Sequence, residues 1–218
     1  MASAAIQDYV KQIYLLSAGE GRATTSALAA AIGVSAASAT TMVKRLAELG
    51  LVRHERYRGA VLTPAGERMA VEIVRHHRLL ETYLSEALGV PWDRLHGEAE
   101  LLEHVLSEEL EASIDHALGY PETDPHGDPI PSPDLTVPHD DSRGMADLET
   151  CQQGVVCRVP DGDPALLRYL GELGLRPKAG FTVVEKAPFD GPITVEVDGA
   201  RRALARELAL RIRVARVA

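Results

Sequence analysis

Histidines and carboxylates recur at helical spacing in the middle of this 218-residue chain. On a helix predicted from about Asp93 to Leu118, and stopped by Gly119 and Pro121, His96, Glu100, Glu103 and His104 follow one another at steps of four, three and one. That spacing puts all four on one face over two turns. The preceding predicted helix carries His77 and Glu81 as an i, i+4 pair, and the first helix sets Asp8 among apolar neighbours. Carboxylates packed this closely repel, so a divalent cation is the natural stabiliser of such a cluster. Taken singly, each piece is ordinary, because Glu/His-rich helix faces are usually solvated and a lone histidine is more often a surface or core residue than a ligand.

The elements that must hold these groups are legible from periodicity and stops. Ile6, Tyr9, Val10, Ile13, Tyr14 and Leu16 recur at helical spacing before Gly19 and Gly21. Thr24 or Thr25 caps a short second helix ending at Gly33, and Ser35 caps a third ending at Gly50, a helix-turn-helix pattern. Two β-prone runs around Arg56, Tyr57, Arg58 and Gly59 read as a hairpin, the wing. Thr63 and Pro64 start a long helix reaching about Leu88. Residues 120–144 are too rich in Pro, Asp and Gly for helix or central strand and form a linker or extended arm, whereas 148–217 alternate short apolar runs and turns around one helical piece at Ala165–Leu173, a small β-barrel.

In a helix-turn-helix the second helix presents its N-terminal residues to base edges. Here those are Ser35, Ala36, Ala37, Ser38, Thr40 and Thr41, whose small size, methyls and hydroxyls suit close approach in the major groove. Lys44, Arg45, Arg56 and Arg58, with Tyr57 at the wing tip, are placed for the phosphate backbone. The same three helices and hairpin also build protein-interaction modules. The net charge of −9 is unevenly spread: residues 1–75 hold nine Lys/Arg against six Asp/Glu, so a mildly basic end precedes an acidic body. A charged fraction of 25% and a hydrophobic fraction of 45%, with neither an 18-residue apolar run nor a secretory h-region, predict a cytoplasmic protein without membrane or small organic substrate. Cys151 and Cys157 are read as buried thiols rather than a redox or zinc pair.

With QDYVKQIYLL, YRGAVLTPAG, RHHRLLETYL, HGEAELLEHVLSEELE and PETDPHGDPIP in place over residues 6–131, the chain resembles the diphtheria-toxin-repressor family of iron- and manganese-dependent regulators, particularly its manganese-responsive branch. The final third is similar to the family's optional FeoA-type barrel. The resemblance implies a mainly α fold with small β parts: a winged helix-turn-helix over 1–72, a helical metal-binding and dimerisation domain over 73–125, a Pro-rich linker over 126–147, and an SH3-like or FeoA-like barrel over 148–218.

It also implies a primary metal site of Asp8, Glu100, Glu103 and His104, and a second of His77, Glu81, His96 and a barrel acid, Asp161 first and Asp163 as fallback; some relatives add ligands at the positions of Asp124 and His126. Oxygen ligands at Asp8 and Glu100 favour Mn2+, with Fe2+ as the alternative, two ions per subunit. Members with a two-metal cluster carry glutamate at the position of Lys11, which favours the separated two-site arrangement here. The implied function is a homodimeric, metal-activated repressor of metal-homeostasis genes acting on inverted-repeat operators. Two rivals remain: a di-iron enzyme, which only Glu100-x-x-Glu103-His104 approaches, and a winged-helix regulator with another effector.

Overall fold

The structure is a computed structural model describing residues 3–55 and 59–217. Two compact units make up the chain, each from non-contiguous stretches: residues up to His77 with Leu101–Glu111 and Pro131–Val137 form the first, and Arg78–Glu100 with Ala112–Ile130 and the residues from Pro138 onward form the second.

The first unit opens with α1 (Ala4–Glu20), which buries Ile6, Tyr9, Val10 and Ile13. Helix α2 (Thr25–Ile32) starts where Thr24 Oγ1 accepts from the Ala27 amide at 3.1 Å, and it ends at Gly33. Ser35 then caps α3 (Ala36–Glu48) by accepting from the Ser38 amide at 3.1 Å. The two helices bend by 109°, as a helix-turn-helix requires. Ala39, Val43 and Leu46 recur at i, i+4 and i+7 on α3 and join Val10, Ile13 and Leu28 in one core, so the opposite face of α3 is left to solvent.

Strands β1 (Val52–Glu55) and β2 (Gly59–Leu62) form the wing, with Val52 opposite Leu62 and Glu55 opposite Gly59. Arg56, Tyr57 and Arg58 lie outside the described residues. At Gly59 φ is 91° and an added Cβ would stand 2.5 Å from the Ala23 carbonyl oxygen, so the wing root tolerates only glycine. Next to it Ala60 and Ala23 exchange backbone bonds at 2.8 and 3.0 Å. Helix α4 (Pro64–Glu86) follows, capped by Thr63, whose Oγ1 accepts from the Gly66 amide and donates to the Gly50 carbonyl.

The single helix expected from Asp93 to Leu118 is two helices, α5 (Leu95–Leu102) and α6 (Glu108–Ala117). Glu103, His104 and Val105 form the turn between them. The break has a local cause. Ser107 Oγ accepts from the Leu110 amide, and Glu108, Glu109 and Glu111 crowd the first turn of α6, where carboxylates oppose the positive end of the helix dipole.

The second unit is dominated by a six-stranded antiparallel sheet made of β3 (Arg143–Gly144), β4 (Gln153–Arg158), β5 (Gly180–Lys186), β6 (Ile193–Val197), β7 (Ala200–Leu204) and β8 (Arg213–Arg216), in the order β3-β8-β4-β5-β6-β7. Register shifts at Val156/Arg158 and Val183/Glu185 mark bulges, which bend a sheet. A 3-10 turn (Met145–Asp147), α7 (Pro164–Glu172) and α8 (Arg206–Arg211) cover a core of Met145, Leu148, Leu167, Leu170, Ile193, Leu204 and Ile212. The small C-terminal β unit is thus as expected, with a second short helix, α8, where Arg-Glu-Leu-Ala-Leu-Arg is a run of strong helix formers with Ala209 facing the core. The buried-thiol reading is also corrected: Cys151 is exposed and Cys157, on β4, is half-buried. Among the described residues no single helix is long and apolar enough to cross a membrane.

Leu46 has no exposed surface at the centre of the first core. Leu46→Ala should therefore lower stability by about 2–5 kcal/mol, read as an earlier urea midpoint, with the recognition helix loosened as a result.

Candidate functional site

In the first unit, Asp8 on α1 meets Glu103 and His104 from the α5–α6 turn, with their ligand atoms within 4.8 Å of one another. His104 Nε2 is 2.8 Å from Asp8 Oδ1, and its other nitrogen, Nδ1, is held by Gln7 Oε1 at 2.9 Å. Because an amide oxygen only accepts, Nδ1 carries the proton and Nε2 offers its lone pair toward Asp8 when the ring is neutral. Burial raises the Asp8 carboxyl above its ordinary range, against the pull of His104 and Lys11.

Glu103 has no exposed surface, yet its neighbours favour the charged form. Burial alone would raise its pKa, but the His77 bond and the Lys11 charge outweigh that, and the net shift is downward. Lys11 Nζ reaches both carboxylate oxygens, at 2.7 and 2.9 Å, and His77 Nδ1 lies against Oε2. Behind this carboxylate, His76 Nδ1 contacts the Glu103 carbonyl at 3.1 Å while its Nε2 meets Glu111; Arg75 donates to Glu111 and to the Pro131 carbonyl. These contacts fix the turn that carries Glu103 and His104 against α4 and the start of α6.

In the second unit, Glu81 on α4 is completely buried. Asp124 and His126 from the loop after α6 form one ligand group with it, and His126 Nδ1 stands 3.6 Å from Glu81 Oε1. His96 on α5 approaches the same Glu81 oxygen at 3.8 Å and Asp161, between β4 and α7, at 3.8 Å. Asp124 divides its labour: Oδ1 accepts from the amides of His126 and Asp128, both at 2.9 Å, whereas buried Oδ2 and His126 Nδ1 have no hydrogen-bond partner among the described residues. Burial, then the charge of Glu81, holds the Asp124 carboxyl well above its usual range. Burial would lower the His126 pKa, but Glu81 and Asp124 override it and push it up to about 9. Buried polar atoms left without partners beside like charges are the signature of a site built for a cation.

The loop is anchored by β4. The Val159 amide donates to the His126 carbonyl at 3.0 Å, and Arg158 and Arg78 both bond Asp128 Oδ1 at 3.1 Å. A Cβ on Gly127 would fall 1.9 Å from the Cys157 carbonyl oxygen, so only glycine lets the loop lie this close to the strand.

The implied ligand sets are therefore met unevenly. Asp8, Glu103 and His104 come together as expected; Glu100, about half exposed, lies by His96 with 3.6 Å between Oε1 and Nε2, and is not in their group. Glu81, His96 and Asp161 converge, and His77, one turn before Glu81 on α4, has a ligand atom in the same group while its Nδ1 also lies against Glu103. Asp163 caps α7 through the Ala165 amide instead of facing the cluster. Lys11, Gln7, Arg75, His76 and Arg158 were not anticipated as structural partners; a lysine on an apolar helix face was the one visible signal.

On the opposite side of the first core, Ser35, Ala37, Ser38, Thr41, Lys44 and Arg45 are exposed and Thr40 is half-buried. Thr40 and Thr41 donate their hydroxyls to the carbonyls of Ala36 and Ala37, at 2.7 and 2.9 Å, which leaves these oxygens as acceptors.

A cation-ready carboxylate–imidazole cluster and a winged helix sharing one unit define a metal-dependent DNA-binding regulator. Three family models match in succession: the iron dependent repressor N-terminal DNA binding domain over residues 1–60, the iron dependent repressor metal binding and dimerisation domain over 63–132, and the FeoA domain over 144–216. The iron-dependent repressor IdeR of Mycobacterium tuberculosis is 31% identical over 96% of both chains. The HTH-type transcriptional regulator MntR of Lysinibacillus sphaericus is 40% identical over 107 residues, covering 49% of this chain and 76% of that one. Among solved structures, a manganese-dependent transcriptional repressor in complex with manganese superposes with a TM-score of 0.89 at 41% identity, covering 97% of this chain and all of the other. The chain belongs to the diphtheria-toxin-repressor family of metal-dependent transcriptional repressors, whose members bind DNA through the first domain and dimerise through the second. It is not an enzyme, and the di-iron reading falls.

Replacing Lys11 with Met removes one partner of a buried ion pair and strands Glu103. The metal-free protein should lose about 3 kcal/mol in urea denaturation, at the lower end for a broken buried pair because His77 keeps its contact. An unchanged midpoint would show that Lys11 is not the counter-charge of Glu103.

Proposed function

We propose that the protein is a manganese-activated repressor that binds inverted-repeat operators as a dimer, holds two cations per subunit and controls metal-homeostasis genes in the cytoplasm. The observation that carries this reading is the second-unit cluster, where Asp124 Oδ2 and His126 Nδ1 are buried against Glu81 without hydrogen-bond partners among the described residues. Asp8, Glu103 and His104 would hold the first cation, and Glu81, Asp124 and His126, with His96 and Asp161 adjoining, the second. Both sets are rich in carboxylate oxygen, which suits a hard divalent ion and favours manganese. A bound cation would supply the positive charge that lets these carboxylates remain ionised side by side.

The chain's own residues carry the signal from there. Asp8 lies on the helix whose Val10 and Ile13 share a core with Val43 and Leu46 of α3, so fixing Asp8 against Glu103 and His104 fixes the recognition helix. Metal and operator then favour one conformation, and coupling of about 1–3 kcal/mol would change affinity roughly 5- to 150-fold. Leu101 and Val105, 74% and 76% exposed, offer apolar surface for the second subunit. Ferrous iron is the second reading, favoured by the IdeR relatives that match along the whole chain.

Fluorescence anisotropy with DNA from the gene's own upstream region, titrated with Mn2+ and then chelator, tests this. Binding should appear with metal and vanish with chelator, and Asp8→Asn should demand at least about tenfold more Mn2+; binding that ignores both additions would overturn the reading. Lys44→Ala, by contrast, should weaken metal-loaded binding to operator and unrelated duplex alike, with a salt slope smaller by about 1. A loss restricted to the operator would place Lys44 on a base edge.

A further inference from the structure

We propose that Arg176 is a positioning residue for the second cation site: stacked on Trp92, it fixes the backbone carbonyl that orients His126, and this gives the FeoA-type domain a hand in metal sensing. The inference rests on the reading of His126 as a ligand.

His126 is held from two sides. Its Nε2 lies 2.8 Å from the Trp92 carbonyl oxygen, and its ring centroid is 5.8 Å from that of Trp92. A carbonyl only accepts, so Nε2 carries the hydrogen, and in the neutral ring the lone pair belongs to Nδ1, the atom that faces Glu81. The Trp92 carbonyl therefore selects the ligating tautomer and sets the ring's angle.

What holds Trp92 comes from α7 and the turn after it. The Arg176 guanidinium sits over the indole, 4.2 Å from its centroid, and Arg168 bonds Asp93 at 2.9 Å, so two cations clamp consecutive residues. Gly171 makes room, because a Cβ there would stand 3.3 Å from Trp92 Cζ2 and 3.0 Å from Arg176 Nη2. Trp92 lies in the turn that leads into α5, closed by the Arg94 amide on the Pro91 carbonyl at 2.8 Å, and the clamp adds a side-chain restraint on that turn's Trp92 carbonyl. Because coupling is reciprocal, a cation on His126 must in turn steady Trp92. Trp92 is the only tryptophan in the chain, so tryptophan emission reports on this one place.

The test uses the full-length protein, with Mn2+ bound in equilibrium dialysis and Trp emission followed in parallel. Wild type should take up two ions per subunit with a shift in emission, and His126→Ala should lose the second ion. Arg176→Ala should weaken only the second ion, roughly tenfold, and abolish most of the emission shift, with the first ion and the metal-free melting temperature unchanged; Arg176→Lys, which keeps a cation over the ring, should recover part of the loss. If His126→Ala still binds both ions, the ligand reading itself fails. If His126→Ala loses one ion while Arg176→Ala binds both as tightly as wild type, the ligand stands and the positioning role is overturned.

Discussion

Glu103 keeps an ionised carboxylate out of water, and the N-terminal unit is arranged around that constraint. A lone buried carboxylate would take up a proton, because its desolvation is worth several kcal/mol. Here Lys11 from α1 spans both oxygens and His77 from α4 takes one of them, so the charge survives with its pKa below the ordinary value. The same bonds bring α1, α4 and the α5–α6 turn to one point. Asp8 and His104 meet beside it, and α1 carries the consequence into the core shared with the recognition helix.

The C-terminal unit resolves the same problem differently. Glu81 and Asp124 are both buried, and the cationic side chain nearest to the pair, Arg78, stays 3.9 Å from Asp124 Oδ2 while its hydrogen bonds go to Asp128 and the Pro129 carbonyl. His126 is consequently driven toward protonation and Asp124 toward neutrality. One unit thus supplies its counter-charge from its own sequence, whereas the other leaves the charge to be supplied. That contrast is why the second cluster argues for a cation more strongly than the first, although sequence spacing draws the eye to the first.

Much of this was readable in advance. The caps at Thr24, Ser35 and Thr63, the stops at Gly33 and Gly50 and the wing all follow from local chemistry, which a sequence displays directly. The broken helix did not, because apolar and acidic residues keep helical spacing straight through Glu103–Ser107. Its signal was nonetheless present in Ser107 followed by three glutamates in the first turn of α6, a start overlooked inside an apparent continuation. Misjudging that break is what put Glu100 on one stripe with Glu103 and His104: past Leu102 the chain turns, and Glu100 is left beside His96. Lys11 and Gln7 stayed hidden for another reason, since their partners are about 90 residues away and long-range pairing leaves no local pattern.

The two imidazoles closest to the ligand groups show how far each site is prepared before any ion arrives. His104 gives Nδ1 to Gln7 and turns Nε2 toward Asp8; His126 gives Nε2 to Trp92 and turns Nδ1 toward Glu81. Opposite nitrogens are used, yet the logic is shared: an oxygen that can only accept fixes a proton on the outer atom, so the inner nitrogen is the one turned to the carboxylates. A cation received in either cluster would at most displace the inner proton and would find both rings already oriented, so less binding free energy would go into ordering the donors and more would remain to hold α1 and the loop in place. A sensor needs that surplus, because only the part of the metal's affinity that differs between conformations can be passed on to the DNA-reading helix.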